Sequence, residues 1–173
     1  LSDDAAAPTS RVVTAAVSFL ESIDSAETAS RVIGSTAAQL GVPTDTLDQA
    51  RGQIAYQLAG SLYAMGREPA SLELYRVALR YCPDHAWAAN DLGYFLVERG
   101  EELDRAEELL SRAYGLRPDQ SNIADSLGWL RYKLGQFENE TLADGSVREG
   151  AVSLLIAATG LPGGDSTATV AYT

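Results

Sequence analysis

The sequence predicts an all-α fold of stacked antiparallel helix pairs, and two observations carry that reading. The first is a phase. Small residues, leucine, glycine and proline return along the middle of the chain every 34 to 35 residues: Ala55, Ala89 and Ala124; Leu58, Leu92 and Leu127; Ala59, Gly93 and Gly128; Gly66, Gly100 and Gly135; with Pro83 and Pro118 closing the first two units. A fixed period of this length marks a solenoid, in which each helix-turn-helix unit buries its apolar face only against its neighbours. The second is punctuation. Helix-start residues precede the apolar-periodic runs, and glycine or proline follows them.

Residues 1–8, LSDDAAAP, have little to bury and end in a proline, so a loose leader is expected there. Val12, Val13, Ala16, Val17 and Leu20 fall at helical spacing after Thr9 and Ser10 and predict a first helix. Asp24 with Glu27 three residues on opens a second, which runs to about Leu40 before Gly41 and Pro43. These two helices lack the repeat marks. They are expected to form an N-terminal hairpin within residues 9–50, a cap or a degenerate repeat, because terminal units of solenoids are atypical. Thr46 with Gln49 starts a long third helix that reaches Ala64 or Met65, just before Gly66.

The first clear unit spans 52–85. Its second helix begins at Pro69, where a missing backbone N–H costs nothing, and Leu58, Leu62, Leu72, Tyr75 and Ala78 are its expected core. The second unit, 86–120, carries one extra residue between Gly100 and Ala106, which reads as a loop change. The third, 121–165, keeps Leu127, Gly128, Leu134, Gly135 and Phe137 in register and is then broken by a polar insertion over 138–149. Removing about 11 residues returns Ala151, Leu155 and Ala158 to phase, and Ser146 with Glu149 offers a capping box for the resumed helix. After the Pro-Gly-Gly-Asp turn, residues 166–173 read either as the start of a truncated fourth unit or as a tail.

Composition narrows the chemistry. With 46% hydrophobic and 21% charged residues among 173, the chain is of ordinary globular type, and its longest apolar run is too short to span a membrane. Its first residue is Leu1, which reads as a processed or excised piece, so an upstream targeting segment would leave no trace; a soluble, cytoplasmic chain is the default expectation. One cysteine, Cys82, and one histidine, His85, can make neither an internal disulfide nor a Cys/His metal cluster. A net charge of −11, with 12 arginines and one lysine scattered along the chain, opposes binding to phosphate backbones and favours a basic partner. No phosphate-binding glycine loop, nucleophile elbow or zinc-protease motif is present, so no enzyme and no cofactor are expected. His85, behind Pro83 and Asp84, reads as a helix-start residue. Glu101, Glu102, Asp104, Glu107 and Glu108 read as a solvated outer helix face with Glu101–Arg105 and Glu108–Arg112 pairs.

On the repeated marks above, the Leu-Ala and Leu-Gly pairs, the later small residue and the closing proline, the sequence resembles the tetratricopeptide repeat (TPR) family. The resemblance implies a right-handed α–α superhelix in which the first helix of each unit lines a concave surface. Carried over position by position, the inward residues are Gln53, Tyr56, Gly60, Tyr63 and Ala64 in the first unit, Trp87, Asn90, Tyr94, Val97 and Glu98 in the second, and Asn122, Asp125, Trp129, Tyr132 and Lys133 in the third. Six of these fifteen are aromatic, including both tryptophans, and rings of that kind supply large contact area at low rotamer cost. The same rings at helical spacing also suit packing between helices; with Leu58, Leu92 and Leu127 already filling the packing positions, two or three of them are expected in the groove.

The family's well-known carboxylate clamp is not reproduced. Tyr56 and Gly60 stand where its Lys and Asn would be in the first unit, Asp91 replaces an Asn in the second, and Asn122 and Ser126 replace Lys and Arg in the third. The resemblance therefore implies a non-catalytic scaffold that binds a protein or peptide segment in a groove formed by Gln53, Tyr56, Tyr63, Trp87, Asn90, Tyr94, Asn122, Asp125, Trp129, Tyr132 and Lys133. The alternative is a self-assembly module that makes a homo-oligomer by stacking or swapping through the C-terminal end or the insertion.

Overall fold

The computed structural model describes residues 47–160 together with Thr28, Arg31 and Ser35, which are helical. The expected leader, most of the N-terminal hairpin and the fourth-unit or tail segment lie outside the described residues. The described chain is all-α apart from one short β-hairpin, as the sequence predicts: α1 (Leu47–Ala64), α2 (Glu68–Tyr81), α3 (Ala86–Arg99), α4 (Leu103–Leu116), α5 (Ser121–Lys133), β1 (Glu140–Thr141), β2 (Val147–Arg148) and α6 (Ala151–Gly160). It divides into two compact units between Pro83 and Asp84.

In the first unit α1 and α2 pack as a pair. The chain reverses at Gly66, whose φ of 73° is open to glycine at no steric cost, and the Arg67 N–H closes the turn on the Leu62 carbonyl at 2.9 Å. Pro69 sits in the first turn of α2, as its missing N–H requires. Ala55, Ala59 and Leu62 of α1 and Leu72, Leu74, Tyr75 and Ala78 of α2 are buried in a mainly apolar layer, in which each Leu removed from water contributes about 1.5–3 kcal/mol. The buried Ser71 hydroxyl avoids a desolvation cost by donating to the Ala59 carbonyl at 2.8 Å.

In the second unit α3 pairs with α4, α5 pairs with α6, and α5 also packs on both α3 and α4. The repeated Leu-Gly mark now has a cause. A Cβ on Gly93 would stand 2.7 Å from Leu110 Cγ, and one on Gly128 would stand 2.9 Å from Leu155 Cγ, so glycine lets the leucine of each second helix seat against the first. The second helices repeat their own buried pattern: Ser71, Ala106 and Ala151, then Leu74, Leu109 and Leu154, then Ala78, Ala113 and Ala158. Gly100, at φ 65°, repeats the left-handed turn of Gly66 and Gly135, and the extra residue before Ala106 is absorbed at Glu102, φ 45°. That residue is strained, since it carries a side chain.

The insertion is a folded hairpin. Glu140 pairs with Arg148 and Thr141 with Val147, around a turn in which Asp144 accepts from the Ser146 N–H at 2.9 Å and hydroxyl at 2.6 Å. These bonds from Ser146 hold the Asp144 carboxyl below its usual range. The expected capping box therefore does not form, because Ser146 is spent on the hairpin turn. The first N–H groups of α6 are met by the chain that entered the insertion: Ala151 donates to the Gln136 carbonyl at 2.9 Å and Val152 to the Phe137 carbonyl at 3.2 Å. Gly150 makes this possible. A Cβ there would collide with the Phe137 carbonyl, and its N–H is taken by Asn139 Oδ1 at 2.9 Å.

A second expectation is corrected on α4, where Glu107 is more than part of a solvated face. It accepts from Arg131 Nη1 at 2.7 Å and lies 3.7 Å from Arg148, which itself pairs with Glu140. Arg131 is only 4% exposed, and a guanidinium in that position requires an anion beside it. Elsewhere on that acidic run Arg99 pairs with Glu101 and Arg105 with Glu108, both pairs exposed and therefore worth little.

Candidate functional site

The first helices of the two repeats in the second unit, α3 and α5, are in contact, and they carry eight of the eleven groove residues named from the sequence. His85 sets the start of α3: its Nδ1 accepts from the Ala88 N–H at 3.1 Å, as a helix cap does. Burial holds this imidazole below its ordinary value, against the opposing pull of Asp91. A neutral ring is required, since a protonated Nδ1 cannot accept.

Following α3, Trp87 is half-buried beneath the Arg117 guanidinium, 5.9 Å from the ring centroid. Asn90 lies below the surface at 5% exposed, with its Nδ2 donating to Asp91 Oδ1 at 3.2 Å. Tyr94 is half-buried with its ring edge-on to Phe95 at 6.2 Å. On α5, Asn122 is exposed, Asp125 is half-buried, and the Ser126 hydroxyl donates to the Asn122 carbonyl at 2.8 Å.

The last turns of α5 bring the rings together. Trp129 and Tyr132, three residues apart on one helix face, stack at 5.3 Å between centroids and 9° between planes. Phe137 meets Tyr132 edge-on at 5.8 Å. The Trp129 N–H donates to Glu98 Oε1 of α3 at 2.6 Å, which fixes the indole across the helix pair with a charge-assisted bond. Lys133 Nζ lies 4.7 Å from the Trp129 ring centroid. Unlike the core rings, these remain in reach of solvent: Tyr132 is 42% exposed and Phe137 47%.

The structure thus joins Trp129, Tyr132 and Lys133 and adds Glu98 and Phe137, which were not among the groove residues, while Arg117 lies over Trp87. Glu98 had a signal, its inward repeat position. Phe137 had none of that kind, because the hairpin that follows it decides where it sits. Gln53, Tyr56 and Tyr63 belong to the first unit, where Gln53 and Tyr63 are exposed and Tyr56 is half-buried, 5.9 Å from the Tyr75 ring. Among the described residues no group of three His, Cys, Asp or Glu side chains is placed to hold a metal ion. Nor is any helix there long and apolar enough to cross a membrane.

Fold and surface together define a helical-repeat protein with aromatic side chains on α3 and α5 of its second unit. No family model matches the chain. It is similar to the TPR repeat-containing protein PA4667 of Pseudomonas aeruginosa, at 44% identity over 54 residues, which is 31% of this chain and 9% of that protein. The matched stretch is thus a small part of the relative's length. In its repeat marks, its paired helices and this relative, the chain is similar to tetratricopeptide repeat proteins.

Proposed function

We propose that this chain is a non-catalytic scaffold that holds a protein or peptide segment, basic in character, on the α3/α5 face of its second unit. The observation that carries this reading is the stacked pair Trp129–Tyr132, extended by Phe137, with two of its rings substantially exposed on a face where the packing positions are already filled by leucine and glycine. Exposed aromatic clusters rimmed by polar groups mark interaction surfaces and concentrate binding energy. Glu98, Asn122 and Asp125 supply such a rim. Peptides selected from a random library on the wild-type chain should lose about tenfold or more in affinity to Tyr132→Ala, the scale of a truncated hot-spot ring. Undiminished binding of every selected peptide would refute the assignment.

A second reading, self-assembly, draws on one specific feature. Val152 and Ile156 of α6 are 48% and 64% exposed. They occupy the repeat positions of Glu107 and Ser111 on α4, and Glu107 is where α4 receives Arg131 of the following helix. A face that a neighbouring helix covers in one repeat is therefore open in the next. On this reading light scattering shows mass rising with concentration for the wild type and not for Ile156→Glu; a mass independent of concentration contradicts it.

A further inference from the structure

The ring cluster of α5 already holds a cation, and it is the protein's own. The Lys133 ammonium lies over Trp129, 4.7 Å from the ring centroid, while the indole edge is bonded to the Glu98 carboxylate and the ring is stacked on Tyr132. An aromatic face with a carboxylate at its edge attracts cations twice, through the ring quadrupole and through direct pairing. A cation also lies over the other tryptophan of this unit, Trp87, beneath the Arg117 guanidinium. Lys133 is the sole lysine in the sequence, and its side chain is exposed. An exposed ammonium gains little from such a contact, since water solvates it nearly as well, so the contact is readily exchanged. The chain's net charge of −11 draws basic groups toward this surface.

We infer that Glu98, Trp129 and Tyr132 form a receptor for an arginine side chain of the bound segment, and that Lys133 fills this receptor in the free protein as an internal competitor. Arginine fits better than a second lysine. Its planar guanidinium stacks on the Trp129 face that Lys133 covers while its N–H groups reach the Glu98 carboxylate at the indole edge, and it sheds water more easily than an ammonium does. This inference rests on the α3/α5 face being a peptide surface and specifies which side chain that surface takes.

The test uses tetra-arginine and tetra-citrulline peptides, equal in length and shape but different in charge, titrated calorimetrically into the wild type, Lys133→Gln and Arg105→Gln. The last removes the same charge from an exposed site on α4 outside the cluster. Tetra-arginine is expected to bind, tetra-citrulline at least tenfold more weakly, and Lys133→Gln to tighten tetra-arginine about threefold beyond Arg105→Gln, the scale of one exposed cation–ring contact. Equal affinities for Lys133→Gln and Arg105→Gln, or equal binding of the two peptides, overturn the inference. If library-selected neutral peptides still bind through Tyr132 while tetra-arginine does not, the arginine receptor fails and the peptide face stands. If neither class binds, both fail.

Discussion

The groups around the indole of Trp129 limit what the ring can do. Glu98 fixes its edge, Tyr132 takes part of its surface, and Lys133 lies over its face. A ring fixed before a ligand arrives pays less rotamer entropy on binding, which is why a preorganised pair can dominate an otherwise polar surface. His85 shows residue-scale control of a different kind. Its imidazole must be neutral to accept the Ala88 N–H, and burial already lowers its pKa below the ordinary 6.5. A group whose folded pKa is depressed contributes its stability above the unfolded pKa and loses it as pH falls through the folded value. Urea unfolding should therefore show a loss of stability below about pH 6.5 that shrinks in His85→Asn, which caps without titrating in that range. An identical pH profile for the two proteins would show that the cap does not couple to pH.

At the scale of elements, the hairpin between α5 and α6 departs most from the repeat, and it is held by charge as well as by backbone. Glu140, Arg148, Glu107 and Arg131 form one chain of alternating sign from the hairpin to α4 and α5. The Tyr114 hydroxyl of α4 adds a contact to Glu149, and burial followed by that carboxylate raises its pKa. Glu107→Ala leaves the buried Arg131 guanidinium with Gln136 Oε1, at 2.9 Å, as its side-chain acceptor among the described residues. The expected cost is about 2–3 kcal/mol, somewhat under the full penalty for an orphaned buried charge because Glu107 itself is partly wet. Denaturant melts of Glu107→Ala measure this directly, and a loss below about 0.5 kcal/mol would place the pair among ordinary surface bridges. None of this was legible in the sequence. Glu107 belongs to an acidic run that looks uniformly solvated, and the arginine that selects it lies 24 positions away on another helix. The hairpin hid for a related reason: Ser146 and Glu149 have capping-box spacing, but local bonds to Asp144 claim the serine first.

At the scale of the molecule, the repeat carried the fold into view because its marks are the residues that cannot vary without a clash or a void. Gly93 and Gly128 are required by Leu110 and Leu155, and the small and leucine positions of the second helices recur because each pair is packed alike. The single added residue before Ala106 was readable as a loop change, and the left-handed Glu102 shows how it is absorbed. The site was less legible. Inward repeat positions located Trp129, Tyr132 and Lys133, but which aromatics stay exposed depends on neighbours that spacing does not reveal: Arg117 covers Trp87, whereas Tyr132 and Phe137 remain open. We propose that this open cluster, and not the repeat as such, captures a partner segment. The most direct test follows Trp129 emission in a Trp87→Phe background while a library-selected peptide is titrated in, with and without Tyr132→Ala. A saturable emission change and about a tenfold weaker affinity in the variant, at unchanged helix content, are expected; a peptide that binds both proteins equally and leaves Trp129 emission unaltered would overturn the proposal.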